Sequence, residues 1–179
     1  MGWRSVDCRS LAQELIGDQV ARWRHVQAVA NAAKRLSTAP SDDIVVSAAW
    51  LHDIGYSDKL VATGMHAIDG AAFLDLLGAP QELVSLVAFH TGAEHEADER
   101  GLLDRLIQFD SPPQDHLDAL ILADLISGPD GQPMTVAERL ADMLRRYEPQ
   151  HPVHRAVVRS ADYLREAAAR AAKRYDYPM

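Results

Sequence analysis

Ile44-Val-Val-Ser-Ala-Ala-Trp-Leu-His-Asp-Ile-Gly-Tyr56 is apolar or small over its first eight residues and then sets an imidazole and a carboxylate side by side. Residues 44–51 have no polar face, so they read as a helix buried on all sides at the centre of a fold, stopped by Gly55. The preceding Pro40-Ser41-Asp42-Asp43 has the proline and cap chemistry that opens a helix. An unpartnered polar group in such apolar company costs roughly 2 to 7 kcal/mol, so something must satisfy His52 and Asp53. A divalent metal ion does so. Adjacent residues cannot share one helix face, but at a helix end the Gly55 turn lets both side chains converge.

Outward from this segment almost every stretch reads as helix, with no strand pairs, internal repeats or low-complexity linkers. Residues 10–16 form a short amphipathic turn or two before Gly17, and Asp18 is the expected N-cap of a longer helix to about Leu36. In that helix Trp23, Val26, Val29, Ala30, Ala33 and Leu36 recur at spacings of three and four, with His25 at the edge of the stripe. His66 begins a helix to about Leu77, and residues 80–89 form another with His90 at its C-terminal end. The charged stretch 94–101 reads as solvated helix or loop, and residues 102–109 as weakly helical. Residues 114–127 carry Leu117, Leu120, Ile121 and Asp124 on one helix face, ended by Gly128-Pro129-Asp130-Gly131. Thr135-Val-Ala-Glu138 is a capping box for a helix to about Tyr147, and Pro152 suits the first turn of a last helix to about Tyr175. These readings predict an all-α fold in one domain over residues 1–179, with a core of about 18–131 and C-terminal helices over about 135–175.

The balance of 26 acidic against 18 basic residues, net charge -8, disfavours binding to long nucleic acids. A small anionic substrate remains open, steered by a local basic patch or by a metal's own charge. No apolar run approaches the roughly 18 residues that cross a bilayer, so no membrane span is expected. The start, Met1-Gly-Trp-Arg-Ser-Val-Asp-Cys8, lacks the apolar region of a secretory signal, so the expected compartment is the cytoplasm. Cys8 is the only cysteine, which excludes an intrachain disulfide and a thiolate-rich zinc site.

Histidine recurs in apolar company at His25, His66 and His90, and aspartate at Asp124. Any one of these alone reads more readily as a hydrogen-bonded core residue. Together with His52 and Asp53 they read as one site, and imidazoles with carboxylates but no thiolates suit iron, manganese, zinc or magnesium. His95, His116, His151 and His154 lie among charged residues or prolines and read as surface, with His95 the nearest to the cluster in the chain.

In that order, and with the strings Arg22-Trp-Arg-His25, His66-Ala-Ile-Asp-Gly-Ala71, His90-Thr-Gly92 and Ala123-Asp124-Leu-Ile-Ser-Gly-Pro-Asp-Gly131, the chain resembles the HD-domain superfamily of metal-dependent phosphohydrolases over about residues 22–131. The resemblance implies a helical bundle with a metal site at its centre. It implies that His25, His52, Asp53 and Asp124 bind one ion, and that His66 and His90 add a second, with Asp53 as the bridge. The cofactor would be two divalent transition ions, iron or manganese, with zinc or magnesium as alternatives. The activity implied is hydrolysis of a small phosphorylated substrate, a nucleotide or other phosphoester, by metal-activated water. Arg22, on nearly the same helix face as His25, would bind a substrate phosphate. Lys59 and Asp58, just past the HD turn, are further candidates for phosphate contact and proton transfer.

Small stand-alone bacterial HD hydrolases are the nearest subgroup, similar to the di-iron enzymes that split symmetrical dinucleoside tetraphosphates. Those commonly carry an arginine after the Thr-Gly stretch, where this chain has Ala93-Glu94, which argues against that dinucleotide substrate. The separate glycine-tyrosine-proline signature of the cyclic-di-GMP phosphodiesterases is also missing. The same six ligands serve HD-type mixed-valence di-iron oxygenases, and the ligand set alone does not separate the two chemistries. A non-catalytic metal-binding HD module would be marked by a missing ligand, and none is missing. Val153, Val157 and Tyr163 of the last helix can pack on the core or against a second copy in a homodimer.

Overall fold

The computed structural model describes residues 3–37 and 43–178, and among them the chain is all-α. The helices are α1 (Ser5–Ile16), α2 (Val20–Leu36), α3 (Asp43–Leu51), α4 (His66–Leu76), α5 (Gln81–Phe89), α6 (Ala93–Glu99), α7 (Leu103–Leu106), α8 (Gln114–Leu125), α9 (Val136–Arg146) and α10 (Pro152–Arg174). Single 3-10 turns at Ile54–Tyr56 and His90–Gly92 follow α3 and α5. The cap chemistry of Pro40, Ser41 and Asp42 lies outside the described residues. No helix among the described residues is long and apolar enough to cross a membrane.

Two helices form the centre. The apolar run of α3 buries Val45, Val46, Ala48, Ala49 and Leu51, and α8 buries every residue from Leu117 to its end. The other helices wrap this pair: α1, α2 and α5 pack on α3, while α10 packs along α8. The fully buried Leu120, Ile121 and Leu122 show why α8 is central, since each contributes roughly 1.5 to 3 kcal/mol through burial. The apolar face of α10, including Leu164, Ala167, Ala168 and Ala171, is covered by the core.

Local signals set the boundaries with two corrections. Thr135 and Glu138 form the reciprocal capping box of α9, and Pro152 opens α10, where His151 Nδ1 accepts from the Val153 N–H at 3.2 Å. α2, however, begins at Val20 and not after an Asp18 cap. Gln19 occupies the cap position, and its side-chain amide donates to the Tyr56 carbonyl at 3.0 Å, tying the helix start to the HD turn. α1 is longer than residues 10–16, because Cys8, Leu11, Ala12 and Leu15 continue one buried stripe through its polar first half.

Candidate metal centre

α3 stops at Leu51, so His52 and Asp53 leave the helix in different directions. What stops it is a close approach. A Cβ on Gly55 would lie 2.0 Å from the His66 carbonyl oxygen, so only glycine lets the start of α4 rest on the HD turn. The segment before His66 is held by Asp69. Its carboxylate accepts from the N–H groups of Ala62, Thr63 and Gly64 at 3.2, 2.8 and 3.1 Å, and from Thr63 Oγ1 at 2.8 Å.

The six ligand candidates converge as two sets of three, His25, His52 and Asp124 in one and Asp53, His66 and His90 in the other, each with its donor atoms within 4.8 Å of one another. Five of the six are buried and His66 is partly exposed. Asp53 lies between the sets: Oδ1 is 3.6 Å from both His52 Nε2 and His66 Nε2, and Oδ2 is 3.9 Å from His25 Nε2.

Hydrogen bonds fix what these rings can offer. His25 Nδ1 donates to the Gly128 carbonyl at 3.0 Å, His52 Nδ1 to Ala49 at 2.8 Å and His90 Nδ1 to Val87 at 2.7 Å. A carbonyl only accepts, so each Nδ1 carries a hydrogen, which leaves Nε2 as the atom that faces inward and the one that offers a lone pair when the ring is neutral. His25 Nε2 and His52 Nε2 then face each other at 3.3 Å, with Asp124 Oδ1 3.2 Å from His25 Nε2. Asp124 Oδ1 is buried without a hydrogen-bond partner, and the hydrogen that His25 gives to Gly128 lies on the far side of the ring. Converging lone pairs and an orphaned carboxylate oxygen need a positive charge among them, and a divalent ion fits this donor set.

Electrostatics agree for His52 and His66, and for His25 they favour a positive charge, a proton or a metal ion, beside Asp124. Burial, opposed only in part by the carboxylates, lowers His52 to about 4 and His66 to about 3, so both rings stay neutral and free to ligate. Burial also works against His25, but Asp124 and Asp53 outweigh it and raise its pKa. Asp53 and Asp124 are pulled well below the ordinary carboxylate range, against burial, by the surrounding histidines and by Arg22 and Arg139 respectively.

This donor arrangement is matched by sequence: the family model of the HD domain covers residues 22–167 of the chain. The chain belongs to the HD-domain family. The match runs past Gly131 through α9 and most of α10, so the family extends beyond the stretch in which its ligand strings are legible. No curated protein and no solved structure matches this HD domain.

Of the other expected residues, Arg22 reaches the centre. Its Nη1 donates to Asp53 Oδ2, and its guanidinium carbon lies 3.4 Å from the centroid of the Tyr56 ring. Lys59 and Asp58 do not: both are exposed and outside the residues lining the cavity over the HD domain's ligands. His95, His116, His151 and His154 are partly buried and not free on the surface, as in the pairing of His116 with Glu82 at 2.5 Å and of His154 Nδ1 with the Tyr147 carbonyl at 3.0 Å.

Three residues of the centre carried no signal in isolation. Tyr56 stacks on His66 with centroids 4.1 Å apart. Thr91 sits in the left-handed region at φ 47 and ψ 43, a strained place for a β-branched residue, and its hydroxyl donates to Asp124 Oδ2 at 2.5 Å. Arg139, on α9, is buried beside Asp124. A helical reading finds it, since Val136, Arg139, Leu140 and Met143 fall on one face and only the arginine is charged.

Proposed function

We propose that this HD domain is a metal-dependent phosphohydrolase acting on a small phosphorylated substrate, a nucleotide or other phosphoester. The observation that carries the reading is the pair of adjacent three-donor sets, joined by Asp53, beneath a cavity bordered by the Arg22 guanidinium. Ions bound there would polarise a phosphoryl oxygen and lower the pKa of water. The protein's own part is to hold and to orient. His52 and His66 are neutral before an ion arrives, so ligation does not have to displace a proton from them. Arg22 is anchored through Asp53 and the Tyr56 ring, and its part-exposed guanidinium presents charge-assisted donors to a phosphate. Cys8 is wholly buried away from the cavity, so no thiolate nucleophile competes with water.

The test loads the protein with iron or manganese under nitrogen and offers a panel of nucleotides and other phosphoesters. Phosphate release from at least one is expected, with about two equivalents of transition metal per chain. Oxygen uptake on an organic substrate without any anaerobic phosphate release would replace this reading by a di-iron oxygenase. Less than about one equivalent of metal, with no turnover, would reduce the protein to a binding module.

A further inference from the structure

We propose that Arg139 is a phosphate-binding residue that restricts the centre to phosphomonoesters, an inference that rests on the phosphohydrolase reading above. Arg139 is 7% exposed, deep enough that its charge needs close partners. The carboxylates beside it compensate that charge only loosely. Nη2 is 3.7 Å from Asp124 Oδ1 and Nη1 is 3.6 Å from Asp142 Oδ2, both beyond hydrogen-bonding distance. Among the described residues Nε and Nη1 have no hydrogen-bond partner at all. Asp142 is shared with Arg146, whose Nε lies 3.0 Å from Oδ2, and with Arg145, whose Nη2 lies 3.5 Å from Oδ1, and its Oδ2 closes no hydrogen bond with any of the three arginines.

A guanidinium serving only to brace α9 would close a two-pronged contact with one of these carboxylates. This one lines the cavity over the metal ligands, next to Asp124, with donors left over. Its planar fork matches two oxygens of a phosphate. A phosphomonoester has three non-bridging oxygens and a charge near -2, whereas a diester has two and a charge of -1. Two donor sets for cations, the Arg22 guanidinium and the unpartnered Arg139 guanidinium place more positive features around the cavity than the two non-bridging oxygens of a diester can meet, and the monoester brings a third oxygen and a second negative charge. Size points the same way. The cavity is about 110 Å³, below the roughly 300 to 1,000 Å³ of ordinary ligand pockets, so it encloses a terminal phosphate while the remainder of the substrate projects outward.

The test measures binding of inorganic phosphate to manganese-loaded wild type, Arg139→Gln and Arg139→Lys by calorimetry, with metal content and melting temperature recorded for each. Arg139→Gln is expected to weaken phosphate binding by about tenfold or more, as the loss of a charge-assisted pair does. The lysine variant should recover part of the loss, and metal content should stay at the wild-type level. Phosphate affinity unchanged in Arg139→Gln, or lost only together with metal and melting temperature, would overturn the proposal by making Arg139 structural. Turnover of p-nitrophenyl phosphate and bis-p-nitrophenyl phosphate gives a second reading. A fall in monoester preference in Arg139→Gln supports the restriction, and equal wild-type turnover of both esters overturns it. Failure of the whole phosphoester panel would sink the phosphohydrolase reading, whereas turnover with an Arg139-independent phosphate affinity sinks this inference alone.

Discussion

His25, His52 and Asp124 are supplied by the middle of α2, the end of α3 and the end of α8, helices that pack directly on one another in the core. Each imidazole of this set is pinned through Nδ1 to a backbone carbonyl, and Asp124 takes the Thr91 hydroxyl. The second set shares one device with the first, since His90 bonds the carbonyl three residues before it as His52 does. Its other members are held differently. His66 stands at the first residue of α4, after a loop that Asp69 gathers, and is oriented by stacking on Tyr56. Asp53 is shared with Arg22. The first set is therefore built into the packing of the helices, and the second is assembled at a helix start. Preorganised donors lose less freedom on binding, so the first set should hold its ion more tightly.

The largest effect should come from the contact that brings the second set to the first. In Gly55→Ala a methyl group meets the His66 carbonyl oxygen at 2.0 Å, and neither can rotate away, since the backbone fixes the Cβ and the oxygen is itself backbone. Overpacking of that kind should cost roughly 3 kcal/mol or more, a fall in melting temperature of about 10 °C. Calorimetric melting checks it, and a variant as stable as wild type would show that α4 starts elsewhere. Next in size is the contrast between single ligand removals. After dialysis His66→Ala should keep about one equivalent of metal, held by the intact core set, while His52→Ala should keep clearly less. Equal retention by the two variants would erase the distinction between the sets.

A smaller effect is expected from Asp69→Asn. Asp69 touches neither set, but it gathers the loop that leads into His66, and an amide replaces one of its two acceptor oxygens with a donor. Affinity for the second equivalent should drop by about tenfold, the low end for residues that orient a ligand, while the first equivalent is unchanged. A metal titration separates the two, and a loss shared equally between them would mean that Asp69 supports the fold as a whole.

What the amino-acid order made legible was whatever is encoded locally. The apolar run of α3, the stripe of α2, the Thr135 capping box and Pro152 announce helices because period and cap chemistry lie within a few residues of each other. The six ligand candidates were visible for a related reason, as chemistry out of place in apolar surroundings. Their division was not. His52 and Asp53 are neighbours in the chain, yet they fall in different sets, because the turn that separates them depends on Gly55 meeting a carbonyl eleven positions away. The left-handed Thr91 and the Gln19 contact with Tyr56 are equally nonlocal. Arg139 shows the limit of looking for histidines and carboxylates: the out-of-place criterion applies to it as well, but a lone arginine after a capping box reads first as solvated.

The smallest effect tests the boundary of the centre and not its interior. Lys59 follows the HD turn by six residues and was a candidate for phosphate contact, and its charge alone would make it attractive to an anion. It is exposed and absent from the cavity lining, on a turn that directs it to solvent while Tyr56 and Arg22 close the near side. A solvated ammonium at that remove contributes little beyond a screened long-range field. Lys59→Ala should therefore leave kcat within about twofold of wild type and change KM only at low salt, in contrast to Arg22→Ala, which removes the partner of Asp53 itself. A tenfold fall in kcat for Lys59→Ala at physiological salt would mean that residues 57–65 fold over the cavity when substrate binds, and the second set would then gain a cover that the first already has from the core.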